Sequence, residues 1–103
     1  MKFNHELLNK CKEGNKEAIN RALSAAGAIY RINGIFNAVI HKVTADDTVS
    51  IIKSLKTDDI EVSGYSVGQI ALAALDVLNI EHYSGDDKKV HALIASKFAF
   101  LIS

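Results

Sequence analysis

The sequence predicts an all-α fold, a compact bundle of five to six helices, on three observations. Proline is absent, so the strongest helix breaker is missing. Alanine and leucine, both good helix formers, are plentiful. Apolar residues recur three and four positions apart along most of the chain, the period that gives a helix one buried face. The length of 103 residues suits a single α-helical domain, 1–103, able to bury an ordinary core without disulfides or metals.

Phe3, Leu7, Leu8 and Cys11 share one face of a short first helix, with Asn4 placed to cap it and Glu13-Gly14-Asn15 to end it. Asn15 caps a second helix whose inner face carries Ala18, Ile19, Ala22, Leu23, Ala26 and Tyr30. Asn33-Gly34 reads as a turn or helix C-cap. A short helix from Ile35 to Val43 follows, with Phe36, Val39 and Ile40; the alternative is one bent helix running through Gly34. Three Asp-Asp pairs then punctuate the chain: Asp46-Asp47, Asp58-Asp59 and Asp86-Asp87, each after a hydroxyl residue (Thr44, Thr57, Ser84) and before an apolar stretch. A hydroxyl accepts from free N–H groups at a helix start, and carboxylates oppose the positive end of the helix dipole.

Thr44-Ala45-Asp46-Asp47 therefore opens a helix that buries Val49, Ile52 and Leu55. Thr57-Asp58-Asp59 opens another turn, interrupted at Ser63-Gly64. The helix from about Tyr65 to Leu78 is apolar on nearly every side and so belongs at the centre of a core. Ser84-Gly85-Asp86-Asp87 starts the last helix, with Val90, Leu93, Ile94, Phe98 and Leu101 facing inward.

Several function classes have no support. Cys11 is the single cysteine, at an apolar helical position, and reads as a small buried hydrophobe. The histidines His5, His41, His82 and His91 show no metal-ligand spacing, and no motif announces a cofactor. Ser66 matches the letters of G-x-S-x-G between Gly64 and Gly68, but that motif needs a strand–turn–helix context in a larger fold; a helix-start serine fits better. No enzyme is expected. The positive charges before residue 43 are scattered and the pI is near 6.9, against direct nucleic-acid binding. No segment reads as a signal peptide or bilayer span, which leaves a cytoplasmic location with no membrane partner as the expectation.

Charge is balanced overall but divided along the chain. Residues 1–42 carry seven Lys/Arg against three Glu, net +4. Residues 43–103 carry five Lys against nine Asp/Glu, net −4. Such asymmetry bears on partners and encounter rates rather than on fold. Glu81-His82-Tyr83 lies between two helices, either as an exposed loop with Tyr83 tucked onto the core or as a contact loop anchored by the tyrosine.

Two resemblances add to this reading. Leu55-Lys56-Thr57-Asp58-Asp59-Ile60-Glu61-Val62, followed by Tyr65 to Leu78, resembles a HEAT-type repeat over about residues 44–80. It departs at Ser63-Gly64, where the repeat carries a basic residue. The resemblance implies a HEAT-like helix pair in the middle of the bundle. The whole chain is also similar to the small all-α immunity proteins of contact-dependent growth inhibition systems. Its size, the run Gly64-Tyr65-Ser66-Val67-Gly68-Gln69-Ile70-Ala71-Leu72-Ala73-Ala74-Leu75, and Tyr83-Ser84-Gly85-Asp86-Asp87 carry that similarity.

This second resemblance implies a toxin inhibitor that binds a cognate nuclease domain, a ribonuclease by expectation, and occludes its positive cleft. An acidic face suits such a cleft, because the cleft binds phosphates and charge steers encounter. Asp46, Asp47, Asp58, Asp59, Asp86 and Asp87 would supply the charge, with Glu61, Glu81 and Tyr83 as contacts. The alternative is a helical adaptor or oligomerisation module that uses Phe98, Phe100 and Ile102. Oligomeric state stays open.

Overall fold

A computed structural model of the chain describes residues 4–98. They form six helices: α1 His5–Lys12, α2 Lys16–Leu23, α3 Ala28–Ile40, α4 Asp46–Ser54, α5 Val67–Val77 and α6 Lys88–Ser96. A two-stranded hairpin, β1 Glu61–Val62 and β2 Tyr65–Ser66, stands between α4 and α5. The all-α bundle is the architecture observed. The expected inward positions of Phe3 and Leu101 lie outside the described residues.

Both asparagine caps form as predicted. Asn4 Oδ1 accepts from Leu7 N–H at 3.0 Å and Asn15 Oδ1 from Ala18 N–H at 2.9 Å, each satisfying a donor that a helix start leaves unpaired. The second helix does not run to Tyr30. It stops at Leu23, and α3 begins at Ala28 after Gly27. Helix propensity alone would carry on through the alanines. Instead Arg31 reaches back and its Nη1 donates to Ala25 O at 2.8 Å and Ala26 O at 2.7 Å. The guanidinium thus takes up carbonyls that a longer helix would have used, and the tight connection packs α3 against α2.

Asn33-Gly34 is neither a turn nor a cap, since α3 runs straight through it. Asn33 Nδ2 and Asn37 Nδ2 donate to the carbonyls four residues back, at 2.9 Å each, so these polar side chains are satisfied within the helix. Gly34 is buried where α3 meets the end of α2. A Cβ there would stand 2.9 Å from Leu23 Cγ and 3.0 Å from Leu23 N. The glycine marks a close approach between helices, not a break.

α5 is the central helix, as its apolar periphery predicts. Val67, Ile70, Ala71, Ala73, Ala74 and Leu75 are all buried, in one cluster with Ile19, Leu23, Ile35, Ile52, Val90, Leu93 and Phe98. Cys11 is buried in the same cluster, and burial pushes its thiol pKa up. Ser66 caps α5 through a capping box. Ser66 Oγ accepts from Gln69 N–H at 3.0 Å and Gln69 Oε1 accepts from Ser66 N–H at 2.8 Å. The Ser66 of the G-x-S-x-G letters is therefore a helix-start serine.

The hairpin is the element that the helical reading lacked. Ser63 and Gly64 both have positive φ, 55° and 90°, the signature of a two-residue turn matched to strand twist. On either side of it, Ile60-Glu61-Val62 and Tyr65-Ser66-Val67 each alternate apolar with polar residues, a period of two within each strand. The last helix ends at Ser96, with Lys97 and Phe98 in the left-handed region.

Candidate interaction surface

The three Asp-Asp pairs resolve into a common arrangement. In each pair one carboxylate is tied into the fold, Asp47 while still exposed, and the other is exposed without an ion pair. Asp47 accepts from Lys16 Nζ at 3.0 Å, Asn20 Nδ2 at 3.0 Å and Thr48 N–H at 2.9 Å. Asp58 Oδ2 accepts from Arg31 Nε at 3.0 Å, and its Oδ1 from Ile60 N–H at 3.1 Å. Asp87 caps α6 through Lys89 N–H at 2.8 Å and takes Gln69 Nε2 at 3.0 Å on its other oxygen. Their neighbours Asp46, Asp59 and Asp86 are exposed and take part in no ion pair among the described residues.

The expected helix-start hydroxyls are not the caps. Ala45 stands at the start of α4 without a side-chain cap, Thr57 and Asp58-Asp59 open no helix, and Asp87 rather than Ser84 caps α6. At α4 the hydroxyl that matters is Thr48, fully buried, whose Oγ1 donates to Asn20 Oδ1 at 2.7 Å. Thr44 lies one residue before the N-cap position, which Ala45 occupies with no side-chain acceptor. Asp58-Asp59 opens no helix because Ile60 enters the hairpin, where Val67 N–H donates to its carbonyl at 2.9 Å.

Two of the three pairs meet at the N-terminal end of α5. Asp58 O accepts from Gly68 N–H at 2.7 Å, and Asp87 is bonded to Gln69, the next residue. Gly68 permits this because a Cβ would stand 2.6 Å from Lys56 O and 2.8 Å from Asp58 O. Tyr83 belongs to the same end: its hydroxyl accepts from Asp87 N–H at 3.1 Å and its ring lies edge-on to His91, centroids 5.2 Å apart. It is half-buried against the core. Glu61, on β1, is exposed beside them.

Asp46-Asp47 stands apart, held to α2. The nine residues of α4 place about 13 Å of helix between that pair and the α5 end. Glu81 is elsewhere again, on the segment returning along α5, where Lys56 Nζ at 2.7 Å and Lys53 Nζ at 3.8 Å hold it.

Hydrogen bonding sets the protonation of the tied carboxylates. The bond from Lys16 holds Asp47 below its ordinary pKa, that from Lys56 does the same for Glu81, and that from Gln69 for Asp87. All three stay charged at neutral pH. Asp58 and Arg31 are mostly covered, with side-chain exposures of 16% and 12%, and form the most enclosed ion pair among the described residues.

Beside the acidic end, α3 and the hairpin enclose an apolar groove of about 300 Å³, lined by Ile29, Ile32, Phe36, Val62, Tyr65 and Ile70, with Asn33 and Ser63. Sequence reasoning missed this groove because it needs the hairpin. The available signal was the alternation in Ile60-Glu61-Val62 and Tyr65-Ser66-Val67 on either side of Ser63-Gly64. Phe98, proposed for an adaptor contact, is fully buried and packs edge-on to Phe36 at 5.8 Å. Its companions Phe100 and Ile102 lie outside the described residues.

Among the described residues no cluster of His, Cys, Asp or Glu suits a metal ion, and no helix is long and apolar enough to cross a membrane. His82 Nδ1 lies 3.2 Å from Asp76 Oδ2, and Tyr83 N–H donates to the same oxygen at 2.8 Å, which makes this contact part of the return loop. No protein-family model, curated protein or solved structure matches the chain.

Proposed function

We propose that this protein is an inhibitor that binds a basic protein partner, an immunity protein that occludes the phosphate-binding cleft of a nuclease toxin domain. One observation carries the reading. Each Asp-Asp pair spends one carboxylate on the fold and leaves the other exposed without an ion pair, and two of these exposed carboxylates, Asp59 and Asp86, belong to pairs that meet at the N-terminal end of α5. Folding uses only one member of each pair, Asp47, Asp58 or Asp87. The other member raises local negative charge, which speeds encounter with a positive cleft and opposes substrate phosphates there.

The inhibition needs no chemistry from this chain. A bundle seated over the cleft excludes substrate by volume, while Asp59, Asp86 and Glu61 take the places of phosphate charge. Asp46 would add its charge about 13 Å of helix away from that end.

Where a large secreted protein is encoded immediately upstream, co-expression with its C-terminal domain tests the reading. Rescue of growth, with a complex recovered from the cells, is the expected outcome. Failure to rescue overturns the immunity function. With such a complex in hand, the triple variant Asp59→Asn, Asp86→Asn and Glu61→Gln should slow association several-fold at low salt and flatten its salt dependence. An unchanged on-rate removes this end of the molecule from the interface.

A further inference from the structure

We propose that the cleft where α3, α5 and α6 end binds a small organic anion, a phosphate or carboxylate head on an apolar body. The inference is independent of the partner proposed above. The cleft lies at the C-terminal end of α5. The 11 residues of that helix put about 16 Å between it and the exposed carboxylates at the other end.

Three helices finish here in the same way. After α3, Lys42 N–H donates to Val39 O and Val43 N–H to Ala38 O. After α5, Asn79 N–H donates to Asp76 O and Ile80 N–H to Leu75 O. After α6, Lys97 N–H donates to Ile94 O and Phe98 N–H to Leu93 O. Each is a Schellman motif. The residue that turns the chain takes left-handed backbone, with φ 52° at Lys42, 59° at Asn79 and 53° at Lys97. Glycine is the usual occupant of that position, because a Cβ is strained there. None of the three is glycine, and all three line one cleft of about 560 Å³. A strained choice repeated at one place points to use of the side chains, since such strain collects at ligand sites.

Offsetting the helix dipole does not account for the lysines. A lysine in the last turn would do so in ordinary helical backbone, yet α3 and α6 carry no basic residue there. Lys42 and Lys97 are exposed and enter no ion pair among the described residues. Lys16, Lys53 and Lys56, by contrast, each meet a carboxylate.

The lining selects the ligand. Lys42 and Lys97 bring two positive charges, Thr44 and Asn79 bring neutral donors, and no carboxylate is among the described lining residues. That donor set suits a group of anionic oxygens. The rest of the wall is apolar, made by Val39, Ile40, Val77 and Leu78, with Ile40 49% exposed. A bare inorganic ion would leave this wall in water, whereas an aromatic or aliphatic body covers it. The volume falls within the range of small-molecule sites, about 300–1,000 Å³.

The test is phenyl phosphate titrated into the isotopically labelled protein and followed by amide NMR shifts. Saturable shifts should centre on Ile40, Lys42, Asn79 and Lys97, and weaken several-fold between about 50 and about 300 mM salt. Inorganic phosphate lacks the apolar body and benzyl alcohol lacks the charge, so each should bind about tenfold more weakly. Hexanoate shifting the same residues also supports the inference, and the tighter of the two ligands identifies the head.

Lys42→Gly and Lys97→Gly separate a binding role from a structural one. Glycine relieves the left-handed backbone, so each variant should melt at a higher temperature than the wild type. Each should also lose about tenfold in affinity for phenyl phosphate, a charge-assisted contact being removed. Lys42→Arg keeps the charge and should bind within about twofold of wild type. Lysines retained for the fold would give the reverse, lower stability with unchanged binding, and that result overturns the inference. Shifts centred elsewhere, or inorganic phosphate or benzyl alcohol binding as tightly as phenyl phosphate, overturn it too. So does a peptide of glutamate and alanine with one central phenylalanine that takes the cleft more tightly than phenyl phosphate, which would make this end a docking surface for an acidic protein segment.

Discussion

Asp58 and Asp59 are adjacent carboxylates with opposite predicted consequences. Asp58 sits against Arg31 with both side chains largely covered, 3.0 Å between Nε and Oδ2. Asp58→Asn keeps an oxygen for Ile60 N–H but removes the charge, leaving the guanidinium bonded to the two alanine carbonyls and otherwise uncompensated. Breaking a covered ion pair from one side costs about 3–5 kcal/mol when burial is complete. With a little solvent reaching both groups, a loss of about 2–3 kcal/mol is the expectation. Asp59 touches no cation, so Asp59→Asn should stay within about 0.5 kcal/mol of wild type, as surface changes do. Urea unfolding followed by far-UV circular dichroism measures both, provided the m-value is unchanged. On heating, Asp58→Asn should lower Tm by roughly 10–20 °C for a domain of this size. Equal effects of the two substitutions, or a larger effect at Asp59, would falsify the division of each pair into a structural and an exposed member.

Gly34→Ala tests the helix crossing by sign. Propensity alone predicts a gain of about 1 kcal/mol, but the added methyl meets Leu23 at 2.9 Å, and overpacking of about 1–3 kcal/mol should turn the result into a net loss on urea unfolding; a more stable variant sinks the crossing argument. At the hairpin tip, Ser63→Asn should raise Tm slightly, by roughly 0.5 kcal/mol of stability, because asparagine tolerates the positive φ of 55° better. A drop would mean the turn is of another kind. The folded pKa values of Asp47, Glu81 and Asp87 lie below their unfolded values. Their contribution is therefore complete above the ordinary carboxylate range near pH 4 and lost as pH falls through the depressed values. Thermal melts from about pH 6 to about pH 2.5 should show that decline, and added salt should shrink it, since all three groups are solvent-screened.

Much of the helical fold was legible in local chemistry. Asn4 and Asn15 cap because an asparagine before an apolar periodic run has a nearby N–H to satisfy, and α5 is central because its residues leave no polar face. The candidate surface was legible only in part. Both members of each Asp-Asp pair look alike in sequence, and nothing local says that Arg31 selects Asp58 or Gln69 selects Asp87, since those partners lie 27 and 18 residues away.

The sequence by itself determined the class of the fold, the start of most helices, the burial of Cys11 and the acidic character of the second half. Those properties follow from side-chain chemistry and spacing within one or two turns. The tertiary structure alone decided that Gly34 is a crossing point, that one carboxylate of each pair is structural, and that α3 and the hairpin frame a groove. Each of these depends on which element packs against which. A glycine and a carboxylate acquire their roles from a neighbour brought close by the packing of the helices, not from the residues beside them in the chain.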